Sequence, residues 1–430
     1  MGRQTDTSRR LTRTTVEIPC FIHLRTLVNL IPMNPPSRPM EPDALSRRHF
    51  MRLASLTGVI VAADLPSLPA EPGAKLKGAV IGHTGRGDYG HGLESIFSNR
   101  PNVEVVALAD PDSEGRAKTA AKIRAPRSYA DYRELLEKER PGLVSLALRH
   151  ADQHHAIAIA ALRAGAHIYC EKPFVTAPNE SDELLVEADK RGRKVAAAHT
   201  MRMMPVVVLL KQAIAEGLIG DVQELRAFGK QDTRAGGEDM MVLGSHLFDL
   251  LRLFLGDPLW CTARVNWQGR DITPADRRIV KDNVGYVAGD EVFAQFAFPK
   301  GVNATFTSAA KLRETVEHWG IEFFGSKGAA RINCDIAPNV FVRRSTGWKS
   351  EGKTDAWAPL DVSLVKSTPP QNLGPVGDWL DAIAKNREPE CSGRNGAWAV
   401  EMVMGVYQAA LSGKRVRFPL VDRRHPLAAD

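Results

Sequence analysis

Residues 77–93, KGAVIGHTGRGDYGHGL, decide how this chain folds. The first five are a short apolar run, which reads as a β-strand. Gly82, Gly85 and Gly87 follow, and then a segment over about 90–99 that reads as a helix. Glycines in such a turn let backbone N–H groups approach a pyrophosphate, and a helix N-terminus adds a positive dipole. A second strand, 103–109, ends on Asp110, 28 residues after Gly82. An acid there can accept hydrogen bonds from an adenosine ribose. The spacing is Gly82-x-x-Gly85-x-Gly87 rather than Gly-x-Gly-x-x-Gly, so the turn carries weight only within its strand–helix–strand setting.

The alternation continues outward. Segments 113–123, 131–138, 156–164 and 180–191 read as helices, and 143–148, 166–170 and 195–198 as strands. Strands separated by helices mean a doubly wound parallel sheet. The strand over 166–170 runs into Glu171-Lys172-Pro173. A lysine there points into the crevice where open α/β sheets bind ligands. The proline ends the strand, and a cis form would turn the chain sharply. Beyond 200, helices are expected at 205–216 and 239–255. Period-2 segments lie at 222–230, 259–267, 291–298, 302–308, 317–324 and 329–332. Together they predict an open, mainly antiparallel sheet with one helix-covered face. Helices at 375–385 and 396–411 and a strand at 416–419 close the chain. The fold class is α/β: an N-terminal Rossmann sheet plus a C-terminal α+β domain.

The 430 residues suffice for two or three domains. Of the net charge of +7, residues 1–52 carry +5, from nine Arg, no Lys and four acids. The remainder is nearly neutral and shows no basic stripe interleaved with aromatics, which argues against a nucleic-acid binder. The five cysteines are scattered without Cys-x-x-Cys, which argues against a metal site, an iron–sulfur cluster or a disulfide framework. Near the start, Ser46-Arg47-Arg48-His49-Phe50-Met51 precedes an uncharged stretch, 53–63. This reads as a twin-arginine export signal ending near Ala70, with an apolar part too short to span a bilayer. Residues 1–39 read as a disordered or non-native extension ahead of a start at Met33 or Met40. The expected organisation is therefore 1–39 extension, 40–70 signal, 75–200 dinucleotide-binding domain and 201–420 second domain. The expected compartment is the periplasm, or the cytoplasm if the signal is not used. Free nicotinamide cofactor is absent outside the cytoplasm, so an exported enzyme would hold its cofactor through each cycle.

Taken together, residues 77–419 resemble the Gfo/Idh/MocA oxidoreductases. The resemblance rests on Glu171-Lys172-Pro173, Asp152-Gln153-His154-His155, His199-Thr200-Met201-Arg202, Gly236-Gly237, Gly244-Ser245-His246 with Asp249, and Gly325–Ala330. It implies NAD or NADP, a carbohydrate substrate, hydride transfer to or from a sugar, sugar derivative or cyclic polyol, and a homodimer or homotetramer. It also implies cofactor contacts from Gly82, Thr84, Gly85, Arg86, Gly87, Asp110, His155, Glu171 and Lys172, and substrate contacts from His150, Gln153, His154 and Arg202. Lys172 would polarise the substrate hydroxyl and His246 would act as general acid/base. Asp249 reads as a structural acceptor. Asp110 favours NAD, whereas Arg86 and Arg116 suit a 2′-phosphate, so the choice stays open. The commonest family pattern has Asp four residues before this His, where the chain has Val242. Asp239 shares a helical face with His246 if one helix continues through both, and either it or Glu238 beside it is the expected substitute. Two other readings remain: an NAD-dependent glycoside hydrolase or epimerase working by transient oxidation, and a non-catalytic sugar-binding protein.

Overall fold

The computed structural model describes residues 75–312, 319–335, 337–345, 356–363 and 372–428. The extension and export signal read from the sequence lie outside the described residues. Six strands form the first sheet: β1 Leu76–Ile81, β2 Val103–Ala109, β3 Ser128–Tyr129, β4 Leu143–Leu146, β5 His167–Cys170 and β6 Val195–Ala197. Their order is β3-β2-β1-β4-β5-β6 and all pairs are parallel. Every residue of β4 is buried, as expected for a central strand covered on both faces. The covering helices include α1 Ser113–Ile123, α2 Tyr132–Glu139, α3 His154–Arg163 and α4 Pro178–Lys190. Asp112 and Asp131 cap α1 and α2, accepting from Gly115 N at 2.6 Å and Arg133 N at 2.8 Å. The strand order reverses between β1 and β4, which opens a crevice at their C-terminal ends.

The helix expected over 90–99 is instead a six-residue 3-10 stretch, Gly90–Ser95, broken by left-handed residues His91 (φ 49°) and Gly92 (φ 76°). Two glycines weaken helix propagation here, and the His91 side chain is drawn to Glu171 Oε1 at 2.9 Å. The helix dipole expected at the glycine turn is therefore not formed.

After helix α5, Pro205–Ala215, the second sheet begins with β7 Val222–Phe228. Two helices follow, α6 Gly237–Val242 and α7 Gly244–Leu255. Then come β8 Trp260–Trp267, β9 Glu291–Ala297, β10 Asn303–Ala309, β11 Gly320–Gly325, β12 Gly328–Asn333, β13 Asn339–Arg343 and β14 Ala358–Pro359. Helices α8 Leu373–Ala384 and α9 Gly393–Ser412 and strand β15 Val416–Arg417 end the fold. The order is β14-β13-β12-β11-β7-β10-β9-β8-β15, antiparallel apart from the parallel pair β7–β10. Val292, Ala294 and Phe296 alternate inward along β9 while Phe293 faces out at 53% exposure. The inward face packs on α7, where the Phe248 ring lies 5.4 Å from Phe296 and 5.0 Å from Phe306.

The C-terminal helices bind the two sheets together. Helix α8, which the sequence reading groups with the second domain, packs on the first sheet, with Trp379 6.4 Å from Phe97 and 5.7 Å from Tyr169. Helix α9 touches both sheets. At Gly396 a Cβ would lie 2.8 Å from Ala197 Cβ and 2.9 Å from Phe174 Cβ, so only glycine allows this approach. At Gly405 it would meet the Phe418 ring at 2.5 Å. Among the described residues no helix is long and apolar enough to cross a membrane.

Candidate active site

The site forms where the end of β5 meets the junction of α6 and α7. The Lys172–Pro173 bond is cis. Glu171 is fully buried; burial opposes its ionisation, but the His91 bond and the Lys172 charge hold its carboxyl below the usual value. Lys172 is 6% exposed and donates from Nζ to Val242 O at 3.2 Å. Burial lowers its pKa, partly opposed by Glu171 and Asp282. The position that carries a carboxylate in the resembled pattern thus contributes a backbone oxygen.

Helix α6 ends at Val242 and α7 starts at Gly244, with Leu243 (φ −113°) between them. Asp239 and His246 are therefore not on one continuous helix, and the expectation that Asp239 replaces the missing carboxylate is corrected. Asp239 is fully buried and accepts from Ser308 Oγ at 2.6 Å and from the N–H groups of Lys230 and Gln231 at 3.3 Å. It ties the start of α6 to β10 and the end of β7. Asp239→Ala would strand those three donors and is expected to cost about 1–3 kcal/mol, read by urea unfolding. Glu238 is half-buried, and its carboxyl is raised first by burial and then by Asp282.

His246 is 5% exposed and His199, just after β6, is 1% exposed. Their rings meet edge to face, 5.4 Å apart at 77°. Burial, reinforced by the Lys172 charge, pushes His246 well below its usual value and His199 down to about 3. Both imidazoles are neutral near pH 7. Neither ring nitrogen of His199, nor Nδ1 of His246, has a hydrogen-bond partner among the described residues.

Several other expected contacts are corrected. His154 is fully buried and its ring bonds Leu148 O at 2.7 Å and Pro173 O at 2.9 Å, leaving nothing for a substrate. His155 lies over α4, with Nε2 3.0 Å from Glu183. Arg202 is held by Asp249 at 2.5 Å in a pair buried on both sides, so it acts as an internal strut rather than a free cation. Asp110 is fully buried, and its carboxylate accepts from Thr84 N and Oγ1, Tyr89 OH and Asp112 N at 2.7–3.1 Å. It has no capacity left for a ribose, and the Thr84 hydroxyl is engaged with it. The Tyr89 ring lies over Gly82, where an added Cβ would be 2.0 Å from Cε1.

The expected nucleotide end still fits a dinucleotide. A cleft of about 380 Å³ lies over the ends of β1, β2 and β3, lined by Gly82, His83, Pro111, Asp131, Arg133 and Gln153 among others. Gly85 has φ +81° and open space on its Cβ side, which leaves its backbone approachable. Gln153 Oε1 accepts from His83 Nδ1, 3.1 Å away, and Arg86 pairs with Asp152 at 2.6 Å; these bonds join the glycine turn to the loop after β4. The acids facing the cleft are Asp131 and Asp152, which the sequence did not single out for this role. His150 sits across from Asp282 and Asp152; burial lowers its pKa and those acids oppose the shift. Asp282, paired with Arg234 at 3.6 Å, is a further group facing Lys172, and its loop carries no motif that could have revealed it.

One buried and two partly buried imidazoles make the fold acid-sensitive. His199 is pushed down to about 3 by burial, Lys172 and Arg202. His167 is pushed to about 4 by burial and Arg193, and His425 to about 4 by burial. Below the ordinary value of 6.5 the unfolded chain binds protons that the folded chain refuses, so stability falls as pH drops from about 6.5 towards 4. Melting temperatures across that range should decline; a flat profile would contradict the neutral, buried assignment.

Residues 76–199 match the model of an oxidoreductase family with an NAD-binding Rossmann fold, and residues 207–331 match the GFO/IDH/MocA C-terminal domain. D-apiose dehydrogenase of Paraburkholderia graminis is 22% identical over 370 residues, 82% of this chain and 92% of that protein. The 1,5-anhydro-D-fructose reductase of Ensifer adhaerens is 25% identical over 332 residues, 72% of this chain and 90% of that protein. A solved levoglucosan dehydrogenase, in complex with NADH and levoglucosan, superposes with a TM-score of 0.64 at 20% identity, covering 80% of this chain and all of the other.

Proposed function

The chain belongs to the Gfo/Idh/MocA oxidoreductases with an NAD-binding Rossmann fold, and from that premise we propose that it oxidises or reduces a hydroxyl-bearing carbon of a sugar or cyclic polyol at Lys172 and His246. The observation that carries this reading is a lysine from the first sheet buried among two neutral imidazoles, one of them on α7 of the second domain. Relatives that act on D-apiose and 1,5-anhydro-D-fructose support the substrate class.

Bound NAD supplies the hydride acceptor. Lys172 has one N–H on Val242 O and two more to offer a substrate hydroxyl. Its charge favours the oxygen as an alkoxide, and burial strengthens that interaction by excluding water. His246, neutral and with Nδ1 unpaired, can accept the hydroxyl proton and return it in the reverse direction. Glu171, fixed by His91, keeps a counter-charge beside the lysine. Purified protein incubated with NAD and neutral sugars should build up reduced nicotinamide absorbance, and His246→Ala should suppress it about a hundredfold or more. Cleavage of an aryl glycoside without net reduced cofactor would replace oxidation by the transient-oxidation reading.

The Ser46–Met51 arginine pair and the uncharged stretch after it support export by the twin-arginine route and a periplasmic site of action. Fractionation of cells carrying Arg47→Lys with Arg48→Lys should move the protein from periplasm to cytoplasm; an unchanged distribution would remove this part of the reading.

A further inference from the structure

We propose that His199 is a second substrate-binding imidazole, taking hydroxyl groups of an uncharged polyol beside His246. The inference rests on the sugar-oxidoreductase reading and adds a residue and a charge preference to it. The main chain of His199 is tied: its N–H donates to Ala197 O at 2.7 Å and its carbonyl accepts from the Cys391 thiol at 3.5 Å. Its side chain is not. A neutral imidazole carries one N–H and one lone pair, and both are enclosed here without a partner. Buried polar groups are normally paired, because an unmade hydrogen bond is costly. His154 and His167 follow that rule, with both ring nitrogens engaged. His199 breaks it at the same spot where His246 Nδ1 is unpaired, edge to face with it. Thr200 Oγ1 and Ser245 Oγ, next in the chain to the two imidazoles, are also buried and unpaired.

The surrounding charges set the ligand's class. Arg202 is neutralised by Asp249, Arg234 by Asp232 and Asp282, and Arg149 donates to Gly87 O. Arg202 and Arg234 are thus committed to carboxylates, while Arg149 spends only its Nε–H, on a backbone carbonyl. A neutral imidazole both gives and accepts one hydrogen bond, which matches a hydroxyl. The group that His199 would take is thus a hydroxyl of an uncharged ring, for which a neutral imidazole is matched and an anion is not.

The test uses the full chain saturated with NAD and the variants His199→Leu and His199→Asn. The neutral probes are D-glucose, levoglucosan and L-sorbose; the anionic probes are D-glucuronate and D-glucose 6-phosphate. His199→Leu should keep its melting temperature or gain, because it removes two unpaired nitrogens. It should bind NAD within about twofold of wild type, while KM for the best neutral sugar rises about tenfold or more. His199→Asn, which keeps a donor and an acceptor, should recover part of that loss. An unchanged KM in both variants while wild type turns sugars over would overturn the role of His199 and leave the oxidoreductase reading standing. So would a lowered melting temperature with KM intact, the mark of a structural histidine. Preference of wild type for the anionic probes would overturn the charge assignment. Turnover of no probe by wild type would sink the sugar reading and this inference together.

Discussion

Lys172→Met is expected to lower turnover about a thousandfold or more while NAD binding is retained. Acid–base and electrostatic contributions of one side chain typically run from a hundredfold to ten-thousandfold. Lys172 combines both: its Nζ is the buried cation at the end of β5, and its depressed pKa eases proton release. Methionine has similar length and packs in irregular space, so the first sheet should tolerate it. Replacing the ammonium also leaves the buried Glu171 carboxylate with His91 as its remaining cationic partner, so melting temperature should fall, and kcat is compared at a temperature where the variant is folded. The check is kcat with the best sugar alongside an NAD titration. Turnover within tenfold of wild type would remove Lys172 from the chemistry.

Asp249→Ala is expected to destabilise the fold by about 3–5 kcal/mol, the usual consequence of leaving one partner of a buried ion pair uncompensated. Arg202 is 9% exposed and Asp249 1%, with the two 2.5 Å apart. Removing the carboxylate strands the guanidinium between the segment after β6 and helix α7. Arg202→Met with Asp249→Leu takes both charges away and should regain most of the loss. Chemical denaturation of the single and double variants checks this. A single variant near wild-type stability would mean that Arg202 finds another anion, and would return it to the candidates for substrate binding.

These two residues show how far the sequence could be read. The strand before Glu171 and the alternating elements from 77 to 198, apart from the helix expected over 90–99, are legible because apolar runs follow backbone geometry. The same holds for Lys172, whose place at a strand end follows from the order of residues alone. Arg202 looked like a ligand-facing arginine because its partner lies 47 positions away and no local pattern announces the pair. Asp110 was placed correctly at the end of β2, yet Tyr89, Thr84 and the Asp112 amide consume its carboxylate, a fact of packing. Asp239 failed for a local reason: the chain breaks helix at Leu243, and Gly244 after it was an available warning. His199 was quoted within a motif but given no role, because being unpaired is a property of the whole enclosure. Helix α8 reads as a helix, but its return to the first sheet depends on Trp379 meeting Phe97 and Tyr169, residues far away in sequence.

The central claim is that an NAD-binding Rossmann domain and a buried lysine–imidazole site act together on a neutral sugar hydroxyl. The most direct test is the rate of reduced-nicotinamide formation by purified protein supplied with NAD and D-glucose, levoglucosan or L-sorbose, run beside Lys172→Met. The account predicts sugar-dependent reduction by the wild type and about a thousandfold less by the variant at equal cofactor occupancy. Equal rates in the two proteins, or NAD binding with no reduction by any neutral sugar, would contradict it.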